Sequence, residues 1–143
     1  MHSTWQLWAA AAALFAALTA VTAKLGVLGI DADLATLLRT LVVALMLSAL
    51  LGLQGRLAWG ELSGLPAGSL VALLLSGVAT GLSWLCYFRA LQLGPVAPVA
   101  AIDKLSVVLV ALLGVTLLQE QLALRGWAGI LLMAAGAMLV AWR

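Results

Sequence analysis

Residues 96–118 read VAPVAAIDKLSVVLVALLGVTLL, an apolar run broken only by the charged neighbours Asp103 and Lys104. A helix needs ~20 apolar residues to cross the hydrocarbon of a bilayer, and this run is long enough. A charge near the middle of a spanning helix costs roughly 2.5–3.5 kcal/mol on insertion scales, so such groups face a protein interior or a watery cavity. Two adjacent ones mark the place where function is expected.

The rest of the chain has the same character. Of 143 residues, 66% are apolar, against seven Lys and Arg and five Asp and Glu, and the mean hydropathy is +1.22. Such a composition lies outside the range of soluble domains. Four further apolar runs, at about 5–23, 34–53, 69–91 and 126–142, join 96–118 to give an all-α integral membrane protein of five transmembrane helices. The connections at 24–33, 54–68, 92–95 and 119–125 are too short for an extramembrane domain, so residues 1–143 are expected to form a single domain whose chemistry lies within its helices.

The net charge of +2 is spread thinly, with no cluster that would grip nucleic acid or an anionic lipid patch. Cys86 is the single cysteine and His2 the single histidine. No intrachain disulfide, metal site or cofactor is called for, and Cys86 reads as a small packing hydrophobe. No nucleophile and base stand at useful spacing, which argues against an enzyme. The first run lacks the basic start and short core of a signal peptide, although Val21-Thr22-Ala23 offers a cleavable pattern, so it is read as a retained span. Trp5, Trp8, Trp59, Trp127 and Trp142 near span ends suit interfacial anchors.

Counting bases in the loops favours a cytoplasmic location for the side holding Lys24, Arg39, Arg89 and Arg143 over the side holding Arg56 and Arg125. If Lys24 and Arg39 turn inward, the count ties, and two oppositely oriented copies become an option. Gly77 and Gly81 at GxxxG spacing, with Gly129 and Gly136 in the last span, are expected to serve close helix packing. Ser76, Thr80, Ser83 and Tyr87 recur on one face of span three, beside Trp84, Phe88 and Arg89. Two readings are open for them: interhelical hydrogen bonding with an interfacial anchor, or the wall of a cavity for a small solute.

Pro95 and Pro98 make the fourth helix start abruptly, in a turn whose backbone N–H groups are free in any helix. Asp103 is then about 10–12 Å along the axis at 1.5 Å per residue. Its short side chain cannot reach water from there, whereas Lys104 can snorkel. Asp103 shares a face with Val99, Ser106 and Val110, and Lys104 points about 100° away. Separate partners are therefore expected, with Lys24 and Arg39 as the candidate bases for Asp103. A purely structural ion pair is the competing account.

The order of short motifs resembles the EamA-like domain of the drug/metabolite transporter superfamily, in its short form of one domain per chain. The resemblance rests on Lys24-Leu25-Gly26, Leu38-Arg39, Tyr87-Phe88-Arg89-Ala90-Leu91-Gln92-Leu93-Gly94-Pro95, Val99-Ala100-Ala101-Ile102-Asp103-Lys104-Leu105-Ser106, Leu117-Leu118-Gln119-Glu120 and Gly129. It covers nearly the whole chain. One departure is Gln119, where many members of the family have glycine.

The resemblance implies one five-helix repeat unit, which longer relatives carry twice as inverted halves around a central cavity. A single copy then implies a homodimer, for which an antiparallel arrangement is one option, or a partner subunit. It also implies movement of small metabolites, often outward, across the cell inner membrane, with Glu120 anchoring helix ends. The expected function is a metabolite transporter working by alternating access, with Asp103 and Lys104 central and Lys24, Arg39, Trp84, Tyr87 and Ser106 lining the pathway. Acid and bases together suit a zwitterionic or anionic solute. The alternative is a non-transporting membrane subunit that stabilises or regulates a larger complex.

Overall fold

Each apolar run becomes a helix because lipid offers the backbone no hydrogen-bonding partner, so a spanning segment must satisfy its N–H and C=O groups internally. The computed structural model describes residues 4–56 and 64–142, and among them there is no strand. The helices are α1 (Thr4–Gly26), α2 (Ala32–Leu53), α3 (Ala67–Leu93), α4 (Val96–Asp103), α5 (Ser106–Leu117) and α6 (Leu124–Ala141). Five stretches are long and apolar enough to span a membrane, with α4 and α5 together making the fourth, Val96–Leu117.

The helix ends follow local chemistry. Asp31 caps α2, its Oδ1 accepting from the backbone N–H of Asp33 at 3.0 Å and of Leu34 at 3.1 Å, which satisfies two of the free donors of the first turn. At the other end Gly55 takes a positive φ of 67°. There Arg56 N–H donates to Leu51 O and Gly55 N–H to Gly52 O, both at 3.0 Å, the paired closure that a left-handed glycine permits. Helix α4 starts directly after Pro95, and its first bond runs from Val99 N–H to Pro95 O at 3.2 Å. Pro98 stands in that first turn, where a missing N–H costs no helical bond.

Hydroxyls inside the helices are absorbed by their own backbone. Thr22, Thr36, Thr80 and Thr116 each donate to the carbonyl four residues earlier at 2.8 Å, and Thr40 does so at 2.7 Å. This accounts for Thr80 in the polar stripe of α3, whose Ser76 and Ser83 are exposed.

By internal contacts the chain divides into two compact units. One comprises Met1–Leu25 with Leu93–Arg143, the other Gly26–Gln92. In the first, α6 packs along α4 and also touches α5, and Ala20, Gly114 and Ile130 are buried. In the second, Val27, Ala32, Thr36, Phe88 and Leu91 are buried. Large apolar side chains such as Leu73, Leu74, Leu75, Leu131 and Leu132 are exposed, the surface expected where lipid is the solvent.

Several expectations change. Lys24, placed in a connection by hydropathy, lies in the last turn of α1, where a cation suits the helix dipole. Cys86 is exposed, because it stands two positions before buried Phe88, which turns it to the opposite side of α3. Among the described residues no atom lies within 4 Å of a Cβ added at Gly77, Gly81, Gly129 or Gly136. Trp5, Trp8 and Trp142 are exposed at helix ends, Trp127 is half-buried in the first turn of α6, and Trp59 lies outside the described residues.

The fourth span is not one regular helix. At its centre Leu105 N–H donates to Ile102 O at 2.9 Å, Val107 N–H to Lys104 O at 3.1 Å and Val108 N–H to Leu105 O at 3.0 Å. These three-residue steps replace the four-residue steps of an α-helix and tighten the chain into a short 3₁₀ turn. Asp103 ends α4 and Ser106 begins α5, so the tightening falls on the charged pair.

Helix α5 closes through Gln119, which among the described residues is the one other than glycine with a positive φ, 56°. Leu118 N–H and Glu120 N–H both reach Gly114 O, at 3.1 and 3.0 Å, and the Gln119 amide donates to Thr116 O at 2.9 Å. A glycine would enter that conformation without strain. Replacing Gln119 by valine is expected to destabilise the protein by on the order of 1 kcal/mol, since a β-branched side chain resists the left-handed region. Gln119→Gly is expected to hold stability. Thermal unfolding in detergent compares the two, and equal midpoints for both variants would contradict the assignment.

Candidate functional site

Several of the charges within or beside the spans have a local answer. In the unit of residues 1–25 and 93–143, Asp103 Oδ2 lies 3.2 Å from Lys104 Nζ. The expectation of separate partners is corrected: the long lysine arm folds back onto its neighbour, and the acid meets no base from another helix in this ion pair. Asp103 is half-buried, and the Lys104 side chain is 70% exposed. Ser106, one turn on, is exposed at the start of α5. An open, largely apolar groove of about 410 Å³ runs beside the turn, lined by Ile102, Leu105, Met138, Ala141 and Trp142.

Lys24 is directed elsewhere. Its Nζ donates to Gly94 O at 3.0 Å, on the carbonyl that follows α3 and precedes Pro95. Glu120 lies past α5, and its carboxylate covers Gly114 so closely that a Cβ there would sit 2.9 Å from Oε2. A glycine is therefore what lets the acid fold over the end of the helix.

In the unit of residues 26–92, two arrangements join α2 to α3. Arg89 holds Asp33 with both arms of its fork, Nε to Oδ1 at 3.1 Å and an Nη to Oδ2 at 2.6 Å. This planar two-bond geometry is specific to arginine. One turn on, Gln92 donates from Nε2 to Val27 O at 3.3 Å and to Ile30 O at 2.7 Å, tying down the loop between α1 and α2. Deeper in α2, the Arg39 guanidinium carbon lies 4.1 Å from the Trp84 ring centre and 5.4 Å from that of Phe88. Trp84 and Phe88 are four residues apart and so share a face of α3. Tyr87 is half-buried next to them in sequence.

The structure thus brings Asp103 to Lys104 and Arg39 to Trp84, and sets Lys24 on a backbone carbonyl. Among the described residues no group of three or more His, Cys, Asp or Glu could hold a metal ion.

A polar pair thus stands inside a broken span, among helices long and apolar enough to cross a bilayer. The sequence model of the EamA-like transporter family matches residues 3–142. The chain belongs to the EamA-like transporter family. A protein of Sinorhizobium sp, described as an uncharacterized transporter in the cobO 3′ region, is 50% identical over 141 residues, covering 99% of each chain. No solved structure matches.

As an EamA-like transporter with five spans, the chain is a multi-pass membrane protein, and its family points to transport rather than to an enzyme. In this EamA-like chain the sequence reading passed over Asp33, Gln92 and the carbonyl of Gly94. Asp33 lay outside the apolar run and was counted as loop, and its link to Arg89 spans 56 positions. An acid in the first turn of one helix and an arginine four residues before the end of the next are the available signal.

The Asp103–Lys104 contact is expected to matter most when it is half removed. Lys104→Met leaves a carboxylate in the span with no neighbouring cation, a costlier state than losing both charges. The thermal midpoint in detergent is expected to fall further for Lys104→Met than for Asp103→Asn combined with Lys104→Met. Equal losses would show that the lysine does not hold the acid.

Proposed function

We propose that residues 1–143 form one transporting domain, a five-helix half that works as a homodimer and exports small metabolites across the cell inner membrane by alternating access. The observation that carries this reading is the Asp103–Lys104 pair at a tightened turn in the middle of a span. Ionisable groups at such depth are costly and mark solute or ion pathways more often than they mark structure. Irregular backbone inside a span is tolerated where it lines a cavity or is buried in protein, and interrupted helices form the midplane sites of many secondary transporters.

The second copy finds support in the glycines. Gly77, Gly81, Gly129 and Gly136 leave open positions on their helices, and small residues allow a neighbouring helix to approach closely. An antiparallel pair would supply the inverted half that transporters of repeat design carry in one chain. In this scheme Asp103 is the residue on which movement of the solute turns, with Lys104 as its counter-charge and Ser106 beside it on the pathway. Lys24, Arg39, Trp84 and Tyr87 contribute to the lining.

Purified protein in liposomes tests the reading. Flux of a small metabolite by this chain alone is expected, with Asp103→Asn lowering it at least tenfold while the folded, dimeric protein still accumulates. No flux across a broad metabolite panel, together with stable association with another membrane protein, would instead establish a stabilising or regulatory subunit.

A further inference from the structure

Arg39 differs from the other membrane-embedded charges in what answers it. It stands seven residues beyond Ala32, the start of α2, about 10 Å along the axis at 1.5 Å per residue. A guanidinium cannot shed its proton, so its charge persists at that depth. The indole of Trp84 and the ring of Phe88 face it at 4.1 and 5.4 Å and attract it through their π electrons. A ring accepts no ordinary hydrogen bond, however, and guanidinium carries five N–H donors.

Among the described residues Arg39 makes no ion pair. Asp33 is taken by Arg89 and Asp103 by Lys104, while Asp31 caps α2. The two rings answer the positive charge of the guanidinium carbon, and the donors of its fork are of the kind that a planar two-oxygen acceptor matches.

We infer that Arg39, seated on Trp84 and Phe88, is the receptor for the carboxylate group of the transported solute, a reading that rests on the transport function proposed above. The edge of the fork takes both oxygens of a carboxylate in plane. One cation balances one negative charge, so a monocarboxylate leaves no excess charge in the α2–α3 pair, as a phosphate dianion would. An uncharged carbonyl would satisfy donors but not the charge, and an organic cation would be repelled. Lysine could not replace the arginine, since an ammonium neither forks nor stacks in this way.

A merely structural role, pinning α2 to α3, would act on every solute alike. The test compares butyrate, butyramide and butylammonium, three solutes of similar size and different charge, for binding to protein in nanodiscs and for flux in liposomes. The wild type is expected to bind butyrate at least tenfold more tightly than butyramide. Arg39→Lys is expected to reduce that ratio about tenfold, the loss of one charge-assisted bond of the pair, and Arg39→Gln to abolish it. Should Arg39→Gln fail to fold, Arg39→Lys and Trp84→Phe supply the same ratio.

Equal binding of butyrate and butyramide by the wild type, no binding of either, or a parallel loss of both in the Arg39 variants would overturn the inference. Flux of butyramide or butylammonium without a preference for butyrate would overturn it while leaving transport itself intact.

Discussion

A charge or polar group placed in lipid must be answered by the chain itself, because no water is there to do it. This requirement organises the structure. The threonine hydroxyls return to their own helices. Lys24 reaches a carbonyl at the end of another helix, Arg89 grips Asp33, and Lys104 curls onto Asp103. The apolar bulk contributes little to uniqueness by comparison, since large leucines along α3 and α6 face outward, where lipid solvates them as well as another helix would. Polar contacts therefore set which helix end meets which, much as core packing does in a water-soluble domain.

The five spans were legible because hydropathy and length are properties of the sequence alone, and helix is the available outcome for an apolar run in a bilayer. Asp31 as a cap and Pro95 as a starting point rest on equally local rules. The site was legible in its residue types and less so in its pairings. Asp103 and Lys104 are adjacent, and a regular helix turns neighbours apart. Only the run of three-residue bonds at 102–108 shows that the backbone there is not regular. Nothing in a single window of sequence marks such a turn, since Lys104 and Leu105 keep ordinary right-handed angles.

Long-range pairs were out of reach for a different reason. Arg89 enters the count of bases on one side of the membrane, and Asp33, 56 positions away, holds it in a two-bond clamp. Arg39, one of two candidate bases for Asp103, lies on two rings. Each depends on which faces of α2 and α3 oppose each other, and amphipathic periodicity says little about that when both faces are apolar. Cys86 is exposed for the same reason: its residue type suits an interface, and its side of α3 is turned outward.

The tightened turn in span four has a geometric consequence beyond its effect on charge. A 3₁₀ step turns about 120° per residue and an α step about 100°, so two such steps advance the chain by about 40° more than a continuous α-helix would. Residues of α4 and α5 that share a stripe on one helical wheel are therefore out of phase across Lys104 and Leu105. The span carries two wheels, and a side chain's direction before the pair does not foretell the direction of its apparent equivalents after it.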